Sequence, residues 1–158
     1  DDKKTFAQKL AYAVTSKPSG FSYLDKSKYK VRYRYTEKYS SGNSRQFCQI
    51  MMRRSRVGEV YRLEDIDAAS RDGVNKNFGH QGQPYDLFKY KGGPYCGHVW
   101  SQVLYRLKAD TKISDNIEDY QETETIPKSY IPSPRGTSES VVAPKDMIDG
   151  GHHPNWNK

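Results

Sequence analysis

A chain of 158 residues can hold one modest domain with a single core, not two. Hydrophobic residues make up 34%, charged residues 28%, and mean hydropathy is −0.99, so part of the chain cannot bury enough apolar surface to fold alone. The net charge of +7 is one block: residues 21–62 carry eleven basic groups against three acidic, residues 63–110 balance at six and six, and residues 111–158 carry five against eight. Tyrosine is abundant, with 13 copies, and supplies large contact area with a polar tip, which suits a thin core or an interface.

No apolar run approaches the roughly 18 residues of a membrane span, and Asp1-Asp2-Lys3-Lys4 is not followed by a signal-peptide apolar region. The absence of an initiator methionine points to a processed product or a piece of a longer protein. Two cysteines do not make a disulfide framework, so a cytoplasmic origin is the default.

In chain order, residues 3–16 read as a short helix with Phe6, Leu10, Ala13 and Val14 on one face, stopped by Pro18 and Gly20. In residues 28–37, Tyr29, Val31, Tyr33 and Tyr35 alternate with Lys28, Lys30, Arg32 and Arg34, the period of a half-buried strand. One face is aromatic and the other basic. The basic face is either an ordinary solvated surface or a positive strip for phosphate or acidic protein, without base readout.

Asn43 or Ser44 is placed to cap a helix from Arg45 that buries Phe47, Ile50 and Met51 and ends on Arg53, Arg54 and Arg56. Val60 and Tyr61 form a short extended piece, and residues 63–69 another helix with early acids. Residues 71–84 are turn-rich, and residues 85–90 are strand-sized and apolar. Val103, Tyr105 and Leu107 alternate in a final strand expected to pair with residues 28–37.

These elements predict an α+β domain: a short antiparallel sheet with two or three short helices over residues 21–110. An N-terminal helical tether (1–20) precedes it, and a long extended arm (111–158) follows. The arm holds Pro127, Pro132, Pro134, Pro144 and Pro154 and few apolar groups. Its order would have to come from a partner surface, with Tyr130, Ile131, Val141, Val142, Met147, Ile148 and Trp156 as anchors.

Four residues could carry chemistry together: Cys48, His80, Cys96 and His98 have the ligand types of one structural zinc. The spacing has no C-x₂₋₄-C knuckle, so ordinary buried thiols beside locally bonded histidines stay open as the alternative. A Cys–His nucleophile pair is a third reading. Gly92-Gly93 is a turn and not a phosphate loop, because no G-x-x-x-x-G-K-[ST] is present.

The order of the central motifs is a basic-aromatic strand, Ser44-Arg45-Gln46-Phe47-Cys48, Val57-Gly58-Glu59-Val60-Tyr61 with Leu63-Glu64-Asp65-Ile66, a loop at His80, and Tyr95-Cys96-Gly97-His98. Over roughly residues 29–100 this resembles the C-terminal module of tailed-phage minor head proteins of the phage Mu F-like type. Here Gly97 stands where that family usually has Arg, and His98 where Cys is frequent. The resemblance implies a virion component near the head and portal vertex, without catalysis and assembled in the host cytoplasm. Its partners would be portal, capsid or neighbouring copies of itself, with non-specific contact to packaged DNA and no membrane. The alternatives are a non-specific nucleic-acid-binding module using Lys28, Lys30, Arg32, Arg34, Arg53, Arg54 and Arg56, and a small Cys/His hydrolase or nuclease.

Overall fold

The computed structural model describes residues 13–37, 45–93 and 96–124. They form a three-stranded antiparallel sheet, β1 (Tyr29–Glu37), β2 (His98–Leu107) and β3 (Tyr120–Glu122), in the order β1-β2-β3. Three helices, α1 (Gln46–Arg56), α2 (Leu63–Arg71) and α3 (Leu87–Tyr90), complete the α+β architecture expected from the sequence. No helix among the described residues is long and apolar enough to cross a membrane.

The expected pairing of the first and last long strands is present: Tyr29 lies opposite Arg106 and Glu37 opposite His98. This register puts Val31, Tyr33 and Tyr35 on the same face as Trp100 and Leu104, against the helices. Tyr33, Tyr35, Tyr61 and Trp100 are all fully enclosed. Tyr35 meets Trp100 and Phe47 edge to face with centroids 4.8 and 5.7 Å apart, and Tyr33 meets Phe88 at 5.1 Å. Such contacts add about 0.5–1.5 kcal/mol each beyond area burial, which is how a chain poor in aliphatic residues fills a core. The indole N–H of Trp100 donates to the Leu87 carbonyl at 2.9 Å. Tyr61 exchanges two backbone hydrogen bonds of 2.8 Å with Tyr33, covering the middle of the outer β1 edge.

The opposite face is not a solvated basic strip. Lys30 and Arg32 are 5% and 0% exposed, because residues 13–25 cross that face and bring Asp25 and two free carbonyls to it. Arg32 bonds Asp25 through Nη1 (2.8 Å) and Nη2 (3.2 Å), and its Nε donates to the Pro18 carbonyl at 2.7 Å. Lys30 Nζ lies 3.3 Å from Asp25 Oδ2 and over the Tyr120 ring at 4.9 Å. Arg34 pairs with Glu122 on β3 at 2.5 Å. Beside this layer Val60, Val103, Tyr105, Leu107 and Tyr120 make a second, smaller core.

Four expectations change. Residues 13–16 are not helical; Val14 is buried and gives its carbonyl to Arg54 Nη1 at 2.6 Å, while residues 3–12 lie outside the described residues. Residues 85–90 are not a strand: the Asp86 carboxylate accepts from the Phe88 and Lys89 amides and starts α3, which buries the adjacent Leu87 and Phe88. Arg45 occupies the cap position of α1 without a side-chain capping bond, and Asn43 and Ser44 lie outside the described residues.

The fourth change concerns the domain limits, since residues 13–20 and 111–124 belong to the folded body. The Gly20 amide donates to the Asp115 carbonyl and the Ile117 amide to Ser19 Oγ, and β3 pairs with the end of β2, Leu107 opposite Tyr120. The arm anchors Tyr130, Ile131, Val141, Val142, Met147, Ile148 and Trp156 lie outside the described residues.

Candidate metal centre

Three of the four sequence candidates meet. Cys48 sits in the first turn of α1, on the face that also buries Phe47 and Met51. Cys96 and His98 lie at the entrance of β2, directly after the Gly92-Gly93 turn. The ligand atoms of Cys48, Cys96 and His98 all lie within 4.8 Å of one another, and the three residues are 2%, 4% and 3% exposed.

The individual distances are informative. The sulfurs of Cys48 and Cys96 are 3.7 Å apart, and Cys96 Sγ is 3.6 Å from His98 Nδ1. A disulfide would need about 2.05 Å; both cysteines are free. Around a tetrahedral zinc with bonds of about 2.3 Å to sulfur and 2.0–2.1 Å to nitrogen, the sulfur–sulfur edge is about 3.8 Å and the sulfur–nitrogen edge about 3.6 Å. Two of the three edges therefore match those of such an ion, and the third pair, Cys48 and His98, lies within 4.8 Å. The other nitrogen of His98, Nε2, is buried without a hydrogen bond and lies 3.7 Å from Glu37 Oε1.

The thiols share their protons unequally. Cys96 is drawn well below the usual thiol range chiefly by its hydrogen bond with Cys48, against the opposing effect of burial and with help from His98, Tyr35 and the Gly92 backbone. Cys48 is pushed up by the same bond and by burial. Tyr35 Oη touches both sulfurs, at 3.3 and 3.4 Å. Burial, reinforced by those sulfurs, raises its phenol well above the ordinary value.

The turn that delivers Cys96 depends on backbone approach. A Cβ on Gly92 would stand 2.5 Å from Cys48 Sγ and 3.2 Å from Cys96 Sγ, and one on Gly93 (φ +97°) would stand 2.7 Å from Phe78 Cβ. The Gly92 carbonyl accepts from Arg45 Nη1 (3.0 Å) and Asn75 Nδ2 (3.1 Å), and Tyr85 Oη donates to the Lys91 carbonyl at 2.6 Å. Gly92→Ala is accordingly expected to cut metal affinity by more than about tenfold, as loss of a supporting group does. Isothermal titration with zinc would measure it, and unchanged affinity would contradict this account of the turn.

His80 does not join the group: it lies half-buried in a single 3₁₀ turn (His80–Gly82), and the converging ligand atoms belong to the other three residues. His80→Ala is expected to keep the full metal stoichiometry, read by elemental analysis. Sequence reasoning missed Tyr35, Arg45, Asn75, Tyr85 and Gly92 as parts of this centre. The Gly-Gly pair was the available signal, because glycine is required where a sulfur must touch backbone.

Of the seven basic candidates, Lys28, Arg53 and Arg56 are exposed; Arg34 and Arg54 are half-buried, and Lys30 and Arg32 are enclosed. Compared with family models, with curated proteins and with solved structures, the chain has no match.

Proposed function

We propose that this chain is a non-catalytic structural component of a tailed-phage virion, from the head or portal-vertex region, whose small domain is locked by one zinc held by Cys48, Cys96 and His98. The observation that carries the structural reading is enclosure. Cys48, Cys96, His98 and Tyr35 are each at most 4% exposed, whereas a catalytic metal keeps an open position and a nucleophilic cysteine must be reached by its substrate. The Cys96–His98 pair has the residue types of a nucleophile dyad but is walled in by Tyr35, Cys48 and Gly92.

The virion assignment rests on the motif order. The segments that resemble the phage Mu F-like module converge in one core, where Cys48, Tyr61, Leu63, Ile66 and Cys96 pack together. Docking partners in that setting are portal, capsid or neighbouring copies, with the basic residues 53 and 56 of α1 and Lys28 left for acidic surfaces.

Two measurements test the proposal. Elemental analysis of the chain purified without added metal should give about one zinc per chain; none would remove the metal. Antibodies raised against the chain should label purified particles of its phage at the head or portal vertex in immunogold micrographs, and unlabelled particles would remove the virion role.

The DNA-binding alternative makes a contrasting prediction. Seven phosphate contacts would give a log–log salt slope of about −6, but the three exposed residues support no more than about −3. A fluorescence-anisotropy salt titration on random duplex DNA separates these, and the steeper slope would favour the alternative.

A further inference from the structure

The three side chains leave one corner of the tetrahedron unassigned, and Tyr35 stands at it. We infer that the phenolic oxygen of Tyr35 is the fourth metal ligand, making a closed Cys₂-His-Tyr centre; this rests on the metal reading above. For a zinc–oxygen bond of 2.0–2.2 Å and zinc–sulfur bonds of 2.3 Å, the oxygen–sulfur edges are about 3.5–3.7 Å. Tyr35 Oη lies 3.3 and 3.4 Å from the two sulfurs, nearly equidistant, as a shared corner requires.

The oxygen has no competing engagement, since its hydrogen bonds among the described residues are those two sulfur contacts. Before metal enters, Oη hydrogen-bonds both sulfurs and satisfies all three atoms. A divalent cation takes the place of the bridging protons, which leave to solvent, and meets heavy atoms that are already gathered. The ring is also fixed before the ion arrives. His98 stacks on it at 5.0 Å and 11°, and Phe47 and Trp100 close its edges at 5.7 and 4.8 Å. Water is disfavoured as the fourth ligand because Tyr35 is fully buried, and His80 lies outside the converging set.

The test uses the 158-residue chain loaded with cobalt(II) as a paramagnetic stand-in for zinc. Deuterium on the tyrosine rings should give a contact-shifted resonance in the wild-type cobalt form, and Tyr35→Phe should remove it while lowering zinc affinity by more than about tenfold. The wild-type spectrum decides the matter even if the variant fails to fold. A cobalt form with cysteine-to-cobalt charge transfer but no shifted tyrosine signal overturns Tyr35 as ligand and leaves the Cys₂-His centre standing. A wild-type chain that takes up no cobalt, like Cys48→Ser, overturns the metal reading and this inference with it.

Discussion

On the zinc reading proposed above, removing the metal with a chelator is expected to lower the melting temperature of the domain by roughly 15–30 °C. Zinc held about a thousandfold above its dissociation constant stabilises the folded state by about 4 kcal/mol. Each kcal/mol moves the midpoint of a domain of this size by about 4–8 °C. The effect is large here because the ligands come from α1 and from the entrance of β2, 48 residues apart, and an unfolded chain does not hold them together. Cys48→Ser and Cys96→Ser should reproduce the loss and make the midpoint insensitive to chelator. Calorimetry with and without chelator measures both. An unchanged midpoint in the wild type would mean that Cys48 and Cys96 are ordinary buried thiols.

Asp25→Ala is expected to cost about 3–5 kcal/mol, the range for breaking a buried ion pair by removing one partner. Asp25 is the common acceptor beneath the sheet: Arg32 and Lys30 pair with it, and the Val31 and Ser22 amides donate to its oxygens at 3.1 Å each. Without it Arg32, fully buried, would keep its charge with only carbonyls around it. The contrast is Arg34→Ala at the Glu122 pair, whose side chains are 29% and 52% exposed; that loss should stay below about 1 kcal/mol. Denaturant midpoints of the two variants check the difference. Equal midpoints would show that the Asp25 cluster is no more than a surface pair.

The long strands were legible because alternation reports a two-faced ribbon. Tyr33, Tyr35, Val103 and Tyr105 all lie in strands, as their spacing predicts. Which covering each face receives was not legible. Lys30 and Arg32 alternate like solvent residues, yet Asp25, five and seven residues upstream, brings one carboxylate to them by way of a turn, and no strand pattern records that pairing. Tyr85 to Tyr90 failed for the opposite reason: a local Asp86 cap outweighs apolar content in a segment too short to show a period. At the site, residue type identified Cys48, Cys96 and His98. Tyr35 was hidden among 13 tyrosines, because nothing in a strand pattern marks the one whose hydroxyl meets two sulfurs.

The pairing of Glu37 with His98 has a consequence for how the chain is made. The two long strands are adjacent in space but separated by some sixty residues of sequence. Closing that loop costs about 3–4 kcal/mol of chain entropy. On a ribosome moving at about 5–20 residues per second, β1 must wait roughly 3–12 s for its partner to be synthesised. The helices can form in that interval, but Tyr33, Tyr35 and Cys48 have no β2 to cover them. The nascent chain therefore passes through a sticky, thiol-exposed stage that ends only when β2 emerges.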